Sequence, residues 1–189
     1  DGRVSVFGKN VCAYDDEDLR HRIGYVQQKA VLFQGTVRSN LLWGDDSASD
    51  DDLRTALSTA QVLDILADKG GLDAPVEQNG ANFSGGQKQR LSVARALVRK
   101  PQILVLDDSS SALDYATEAA MRKAILALPY KPTLFIVSQR ASSVMCADRI
   151  LVLEDGRLVG DGTHKALLAN CPAYCEIYHS QFSEEVTDA

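Results

Sequence analysis

The sequence predicts an α/β fold with a mostly parallel core sheet, and the clearest signals lie in its second half. The unbroken apolar run at 103–106 is typical of a parallel strand covered on both faces, and 133–137 is predicted to be the next buried strand. Segments with helical patterns precede and follow these runs, at 85–98 and 116–128. An Asp-Gly turn at 155–156 between two further apolar segments predicts an antiparallel hairpin.

The first 75 residues are predicted to form short strands and helices. Gly2 to Gly8 alternates like a half-buried strand, Asp15 to Arg22 has the pattern of an acidic-capped helical turn, and Arg22 to Val26 that of a core strand. Helices are predicted at 36–42, begun by Thr36, at 51–60, begun by the Asp run, and at 62–67, ended by Gly70-Gly71.

The last third of the chain continues the alternation. Ala116 to Leu128 is predicted to be a helix ended by Pro129, and Thr133 to Val137 the next buried strand. The hairpin strands are placed at 150–153 and 157–160, and two final helices begin at 163 and 172.

Composition limits the class of protein. A chain of 189 residues with 45% hydrophobic and 24% charged residues suffices for one globular domain. No apolar run is long enough to span a bilayer, and no signal segment begins the chain, so we expect a soluble polypeptide. The net charge of −6 and the acidic clusters exclude an extended basic footprint for nucleic acid.

The cysteines predict reduced thiols. Cys12, Cys146, Cys171 and Cys175 are scattered through a chain without a secretory signal. Cys171, Cys175 and His179 fall four residues apart on one helical face. Three ligands without a fourth nearby fit packing in a terminal helix better than a metal site.

A helix start at Ser84 has the features of an anion site. Ser84 lies at an N-cap position, Gly85 and Gly86 allow a ligand to approach the backbone closely, and a long helix follows to about Val98. The free N–H groups and the positive end of the helix dipole would then face an anion.

Two carboxylates follow the strand at 103–106. Asp107 and Asp108 lie at its carboxyl end, where ligands bind in parallel sheets. Mg²⁺ takes few protein oxygens and obtains the rest of its ligands from phosphates and water. Either feature alone, the glycine-capped helix or the Asp pair, is more often structural than functional.

In this order and spacing the chain resembles the ATP-binding cassette (ABC) transporter family. Ser84 to Gln87 matches its signature motif, Ile103 to Asp107 its Walker B strand, Ser111 to Asp114 its D-loop, and Gln28 its Q-loop glutamine. The resemblance implies an incomplete ABC-type P-loop NTPase fold with a helical subdomain and remnants of an antiparallel β subdomain. It implies one truncated nucleotide-binding domain, with an α/β core at 1–28 and 100–189 and the Q-loop, helical subdomain and signature helix at 29–99.

The resemblance also implies roles for single residues, with ATP and Mg²⁺ as cofactors of the complete dimeric transporter. The residues expected to contact nucleotide are Ser84, Gly85, Gly86, Gln87 and Asp114. Asp107 and Gln28 are expected to hold Mg²⁺, and the catalytic positions are Asp108, Gln139 and Gln28.

Two departures from the family pattern predict a weak catalytic site. Asp108 stands where a catalytic glutamate is usual, and Gln139 stands where a histidine is usual. The shorter carboxylate withdraws the base from the attacking water by about 1 to 1.5 Å, and misplacement of that size can cost on the order of a hundredfold in rate. Gln139 cannot carry a positive charge to the transition state. The pattern resembles the degenerate-site half of a heterodimeric bacterial exporter.

The phosphate-binding Walker A loop is not found in the sequence. Five residues separate Gly2 from Gly8 where the motif needs four, and Asn10 replaces its Ser or Thr. The resemblance places the loop upstream of Asp1. The 189-residue chain alone is therefore expected to be inactive, without tight ATP binding, and to self-associate through an apolar groove.

The expected partners are a second nucleotide-binding domain, from a different half-transporter, and a transmembrane domain upstream in the same native chain. The expected location is the cytoplasmic face of the bacterial cell membrane. No nucleic acid partner is expected. A non-catalytic fragment and half of a homodimeric ABC transporter remain as alternatives. A chromosome-segregation ATPase fits less well, because the segment from Gln28 to Gly80 has no coiled-coil heptads.

Overall fold

The computed structural model describes residues 2–109 and 112–182. The chain divides into two compact units, Asp1–Val137 and Ser138–Ala189. The division into a core at 1–28 and 100–189 with an inserted segment at 29–99 stays a prediction. The mixed α/β class with a parallel sheet is confirmed.

Short strands and helices alternate in the first unit. Its strands are β1 (Ser5–Val6), β2 (Lys9–Asn10), β3 (Ile23–Val26), β4 (Gly35–Thr36), β5 (Pro75–Val76), β6 (Ile103–Asp107) and β7 (Thr133–Val137). Its α-helices are α1 (Asp16–Arg22), α2 (Val37–Leu42), α3 (Asp50–Thr59), α4 (Leu63–Ala67), α5 (Gly85–Val98) and α6 (Tyr115–Leu126).

The central sheet of this unit is parallel, with the strand order β3-β6-β7. Tyr25 pairs with Val105, and Val105 pairs with Phe135. All three strands therefore present their carboxyl ends at the same edge, where Asp107 ends β6. The strands predicted at 22–26, 103–106 and 133–137 are confirmed as the parallel strands β3, β6 and β7.

The two faces of this sheet differ in burial. Leu104 and Leu106 point into the core, which the apolar sides of α5 and α6 complete. On the other face Tyr25, Phe135 and Val137 are 54%, 54% and 55% exposed. The predicted strand at 133–137 is present, but the prediction that it is buried is wrong for the described structure, because the described residues of this unit cover only one face.

Two predicted element starts also need correction. Ser49, not the Asp run, caps α3: its hydroxyl accepts a hydrogen bond from the Asp52 N–H, and the Asp52 carboxylate accepts one from the Ser49 N–H. The Asp residues occupy the first turn, where the helix dipole favours them. The strand expected across 2–8 is two residues long and pairs with β2 through a turn at Phe7-Gly8, where both φ angles are positive.

The second unit contains an antiparallel hairpin and three helices in its described part. The elements are α7 (Ala141–Val144), β8 (Ile150–Glu154), β9 (Arg157–Gly162), α8 (His164–Asn170) and α9 (Pro172–Phe182). Asp155 and Gly156 both have positive φ, as a two-residue type I′ turn requires. The predicted hairpin and closing helices are confirmed.

Of the cysteines in the second unit, Cys171 is buried, Cys175 is half-buried and Cys146 is exposed. Cys171 is buried with Ile150, Val152, Leu167 and Tyr174. Among residues 2–109 and 112–182, no group of three or more His, Cys, Asp or Glu side chains is arranged to hold a metal ion. In the same ranges, none of the helices has the length and apolar character needed to cross a membrane.

Candidate functional site

Four polar side chains gather at the carboxyl edge of the parallel sheet. Asp107 and Asp108 end and follow β6, while Tyr25 and Gln28 come from β3 and the segment after it. Tyr25 donates a hydrogen bond to Asp107, and Gln28 donates one to Asp108. The fold thus brings three of the predicted site residues together.

Tyr25 is a site residue that the sequence reasoning missed. Its hydroxyl lies 2.6 Å from Asp107 Oδ2, and this hydrogen bond to the carboxylate raises the pKa of the phenol. The contact follows from strand register, because Tyr25 pairs with Val105, and Val105 and Asp107 point to the same face of their strand. Tyr25 fixes one oxygen of Asp107.

Gln28 reaches the second carboxylate. Its side-chain Nε2 lies 2.9 Å from Asp108 Oδ2, across 80 residues of sequence. The Asp108 N–H donates to the carbonyl of Val137 at 2.8 Å, which extends the β6–β7 ladder beyond the last strand residue. Asp108 has a φ of 43°, a left-handed conformation that Asp tolerates better than most residues.

The donor set at this edge suits a hard cation. Carboxylates from Asp107 and Asp108 and the amide oxygen of Gln28 are the oxygen ligands that Mg²⁺ prefers, with phosphate oxygens and water completing its shell. Each of the two expected ligands takes part in one of the hydrogen bonds described above: Asp107 accepts from Tyr25, and Gln28 donates to Asp108. The residues present fit a Mg²⁺ ion.

The second predicted feature, the tip of α5, is built as a capping box. Ser84 Oγ accepts from the Gln87 N–H at 3.3 Å, and Gln87 Oε1 accepts from the Ser84 N–H at 3.1 Å. Ser84 is therefore the N-cap, as predicted, and the helix ends at Val98. The Gln87 side chain is held by the cap itself.

The two glycines differ in what surrounds them. A Cβ on Gly85 would meet only Ala112 Cβ at 3.8 Å, whereas one on Gly86 would lie 2.9 Å from the Ala112 carbonyl oxygen and 3.3 Å from Leu113 Cδ2. The loop at Ala112 and Leu113 therefore leaves no room for a side chain at Gly86, whereas the space at Gly85 stays open at the helix tip. In the described chain the N–H groups of Gly85 and Gly86 have no hydrogen-bond partner, so they are available to an anion.

Asp114 has a clear structural role at the start of α6. Its carboxylate accepts from the Thr117 N–H at 2.9 Å and from the Thr117 hydroxyl at 2.8 Å. These hydrogen bonds hold the pKa of Asp114 below its usual range. Ser111, the first residue of the expected D-loop, lies outside the described residues.

Gln139 belongs to the second unit, near its start. Its carbonyl accepts from Gln181 Nε2 at 2.7 Å, and Gln181 Oε1 accepts from the Ala141 N–H at 2.8 Å. The amide of Gln181, from α9, therefore fixes the backbone on both sides of Arg140. Sequence reasoning did not find this clamp, because no local pattern links positions 42 residues apart.

The ABC transporter family model matches residues 1–111 of the chain. In solved structures, a bacterial Atm1-family ABC exporter with ATP bound has the same fold, with a TM-score of 0.90 and 35% identity. That match covers 96% of this chain and 32% of the exporter chain.

Curated relatives agree with this match. A Bacillus subtilis (strain 168) ABC transporter ATP-binding protein is 47% identical over the whole chain. A Mycobacterium tuberculosis (strain H37Rv) ABC transporter ATP-binding protein is 42% identical over 95% of it. A Staphylococcus aureus (strain NCTC 8325) protein, whose name describes it as a multidrug export ATP-binding/permease protein, is 39% identical over 95%. The chain spans 33%, 31% and 31% of these relatives, about a third of their length.

Proposed function

This chain belongs to the ABC transporter family, and we propose that it is the ATP-binding and ATP-hydrolysing portion of an exporter. The observation that carries the proposal is the tip of α5, where Ser84 caps the helix while the N–H groups of Gly85 and Gly86 stay open. A helix start of this kind binds phosphate through its amides and its dipole. In the proposed dimer, this tip grips the γ-phosphate of an ATP held by the partner domain.

The sheet edge serves the chain's own nucleotide in the same proposal. Asp107 and Gln28 hold Mg²⁺, which neutralises charge on the phosphates when it is bound. Gln28 also senses the γ-phosphate, and its hydrogen bond with Asp108 supports a common site for both side chains. Asp114 joins the two sites across the interface, from the turn that begins α6.

The chain's own site is proposed to hydrolyse ATP poorly. Asp108 would act as the base with a carboxylate one methylene shorter than glutamate, and its amide partner Gln28 already engages one of its oxygens. Gln139 would replace a histidine and can only donate or accept a hydrogen bond. Both substitutions lower the rate at the same nucleotide, so the partner's site would supply most of the turnover.

The proposed partners are a second nucleotide-binding domain, different from this one, and a transmembrane domain. The name of the Staphylococcus aureus relative, which joins ATP binding to a permease, supports the membrane partner. The cytoplasmic face of the bacterial membrane is the matching location, since ATP is available there. A homodimeric half-transporter is the second candidate, in which Asp108 and Gln139 are tolerated substitutions.

Substitutions at Ser84 test the proposal in the complete transporter. Asp, Asn and Ser cap helices about equally well, so Ser84→Asp and Ser84→Asn should both preserve α5. Only the Asp variant places a negative charge against the phosphate. We expect Ser84→Asp to remove most steady-state ATP turnover and Ser84→Asn to retain clearly more.

Asp108→Asn is the matched change at the other site. The Asn carbonyl can still accept the hydrogen bond from Gln28, so the local geometry should survive. Because the chain's own site is proposed to be weak, this variant should lose far less turnover than Ser84→Asp. Equal losses from the two variants would refute the assignment of strong and weak sites.

A further inference from the structure

A buried amide links the signature helix to the segment that carries Gln28. Gln89, on α5, is only 4% exposed. Its Nε2 donates to the carbonyl oxygen of Gln27 at 3.2 Å, across 62 residues of sequence. Gln27 immediately precedes Gln28, whose amide lies 2.9 Å from the Asp108 carboxylate.

Burial of the Gln89 amide has a desolvation cost that its hydrogen bond to Gln27 must offset. Burying an amide costs free energy that only a hydrogen bond offsets, and an apolar side chain of similar volume would fill the same space. The accepting carbonyl belongs to exposed residues just after β3, where the strand no longer fixes the backbone. Without the Gln89 bond, the peptide at Gln27 would be free to rotate.

We infer that Gln89 is a positioning residue for Gln28: its buried amide fixes the Gln27 carbonyl, and thereby aims the Gln28 side chain at Asp108. This inference rests on the proposed function, because it assigns Gln28 to the nucleotide site. Gln89 itself touches neither phosphate nor Mg²⁺. It lies five residues after Ser84 on the same helix, so one rigid element carries the phosphate-gripping tip and the support of the other site.

A double-mutant cycle tests the inference in a complete transporter that already carries Ser84→Asp, because the turnover that remains in that transporter is proposed to come from the chain's own site. Gln89→Met keeps the side-chain volume and removes the donor, so kcat should fall about tenfold with little change in KM for ATP, because misplacement of about 1 Å can cost up to a hundredfold. Gln28→Ala should lower kcat as well. If Gln89 acts through Gln28, the double variant should be no worse than Gln28→Ala alone.

Losses that multiply in the double variant would overturn the inference, since they would mean that Gln89 acts independently of Gln28. Unchanged kcat in Gln89→Met would overturn it too. Ser92→Ala is the matched control: Ser92 is buried on the same helix, and its hydroxyl has no hydrogen-bond partner in the described chain, so kcat should not change.

Gln89→Glu provides a readout that is independent of folding. A protonated carboxyl can donate the same hydrogen bond, and burial raises the pKa of a carboxyl, so activity relative to the transporter that carries Ser84→Asp alone should recover as pH is lowered. The same relative pH profile in Gln89→Glu and Gln89→Met would overturn the inference. Ser84→Asp without effect would instead refute the proposed function, so the two failures are distinguishable.

Discussion

Alanine substitutions at the two glycines of the α5 tip should separate folding from function. Gly85 has no positive φ, and an added Cβ would make only an ordinary contact with Ala112 at 3.8 Å. Gly→Ala at such a position stabilises a protein by about 0.4–1 kcal/mol, chiefly by restricting the unfolded chain. The methyl group would nevertheless stand at the open tip where the phosphate is proposed to approach.

Alanine at Gly86 should lower the free energy of unfolding, whereas alanine at Gly85 should raise it. Its Cβ would lie 2.9 Å from the Ala112 carbonyl oxygen, a backbone atom that cannot rotate away, and 3.3 Å from Leu113 Cδ2. Overpacking of this kind costs about 1–3 kcal/mol, which exceeds the gain of about 0.4–1 kcal/mol from the lost glycine. Gly86→Ala should therefore be less stable than the unsubstituted protein.

Unfolding in urea measures the stability of both variants, and steady-state ATP turnover by the complete transporter measures their function. We expect Gly85→Ala to be more stable and yet to lose turnover by about tenfold or more, as a misplacement of about 1 Å can cost on the order of a hundredfold. Gly86→Ala should lose both stability and ATP turnover. A Gly85→Ala variant with full turnover would refute close approach of phosphate to the α5 backbone, and one that is destabilised would refute the packing argument.

Three further predictions concern other parts of the chain. Lys100→Met should raise the pKa of Asp52, which hydrogen bonds from Lys100 and, next, from Ser49 lower to about 2. The stability from the Lys100 pair is present above the unfolded pKa and is lost as pH falls, so acid unfolding should begin at higher pH in the variant. The Tyr25 phenol should ionise above the usual tyrosine range and Asp107→Asn should lower its pKa, as measured by ultraviolet titration against Tyr25→Phe; stability from this bond is lost as pH rises through the folded pKa. The 189-residue chain should self-associate in sedimentation experiments and Phe135→Ser should weaken this, whereas a dilute monomer would contradict it.

Local signals predicted the fold well where they are strong. The cap at Ser84, the apolar run of β6 and the Asp155-Gly156 turn each fix an element through neighbouring residues alone. The error at β7 has a different origin: an apolar run indicates a strand that can be buried on both faces, but burial depends on what packs against it. Phe135 remains 54% exposed because the described residues of its unit cover one face of the sheet.

In the candidate site too, some contacts were predicted from the sequence and others were found only in the structure. Motif order alone predicted that Gln28 and the two aspartates belong together, and the parallel register of β3 and β6 brings them to one edge. The contacts of Tyr25 and Gln89 could not be found from local pattern, since each joins residues at least 62 positions apart. Long-range pairs follow from strand register and helix rotation, which tertiary packing decides.

The Ser84 side chain explains how one residue can cap a helix and still bind phosphate. A hydroxyl has two acceptor lone pairs and one donor, and the cap uses one lone pair to accept from the Gln87 N–H. The O–H remains free to donate to a phosphate oxygen while the cap stays intact. Asp offers the lone pairs without the donor, and Ala offers neither. Ser84→Thr should therefore keep ATP turnover far better than Ser84→Asp, although both side chains can cap α5 with an acceptor oxygen.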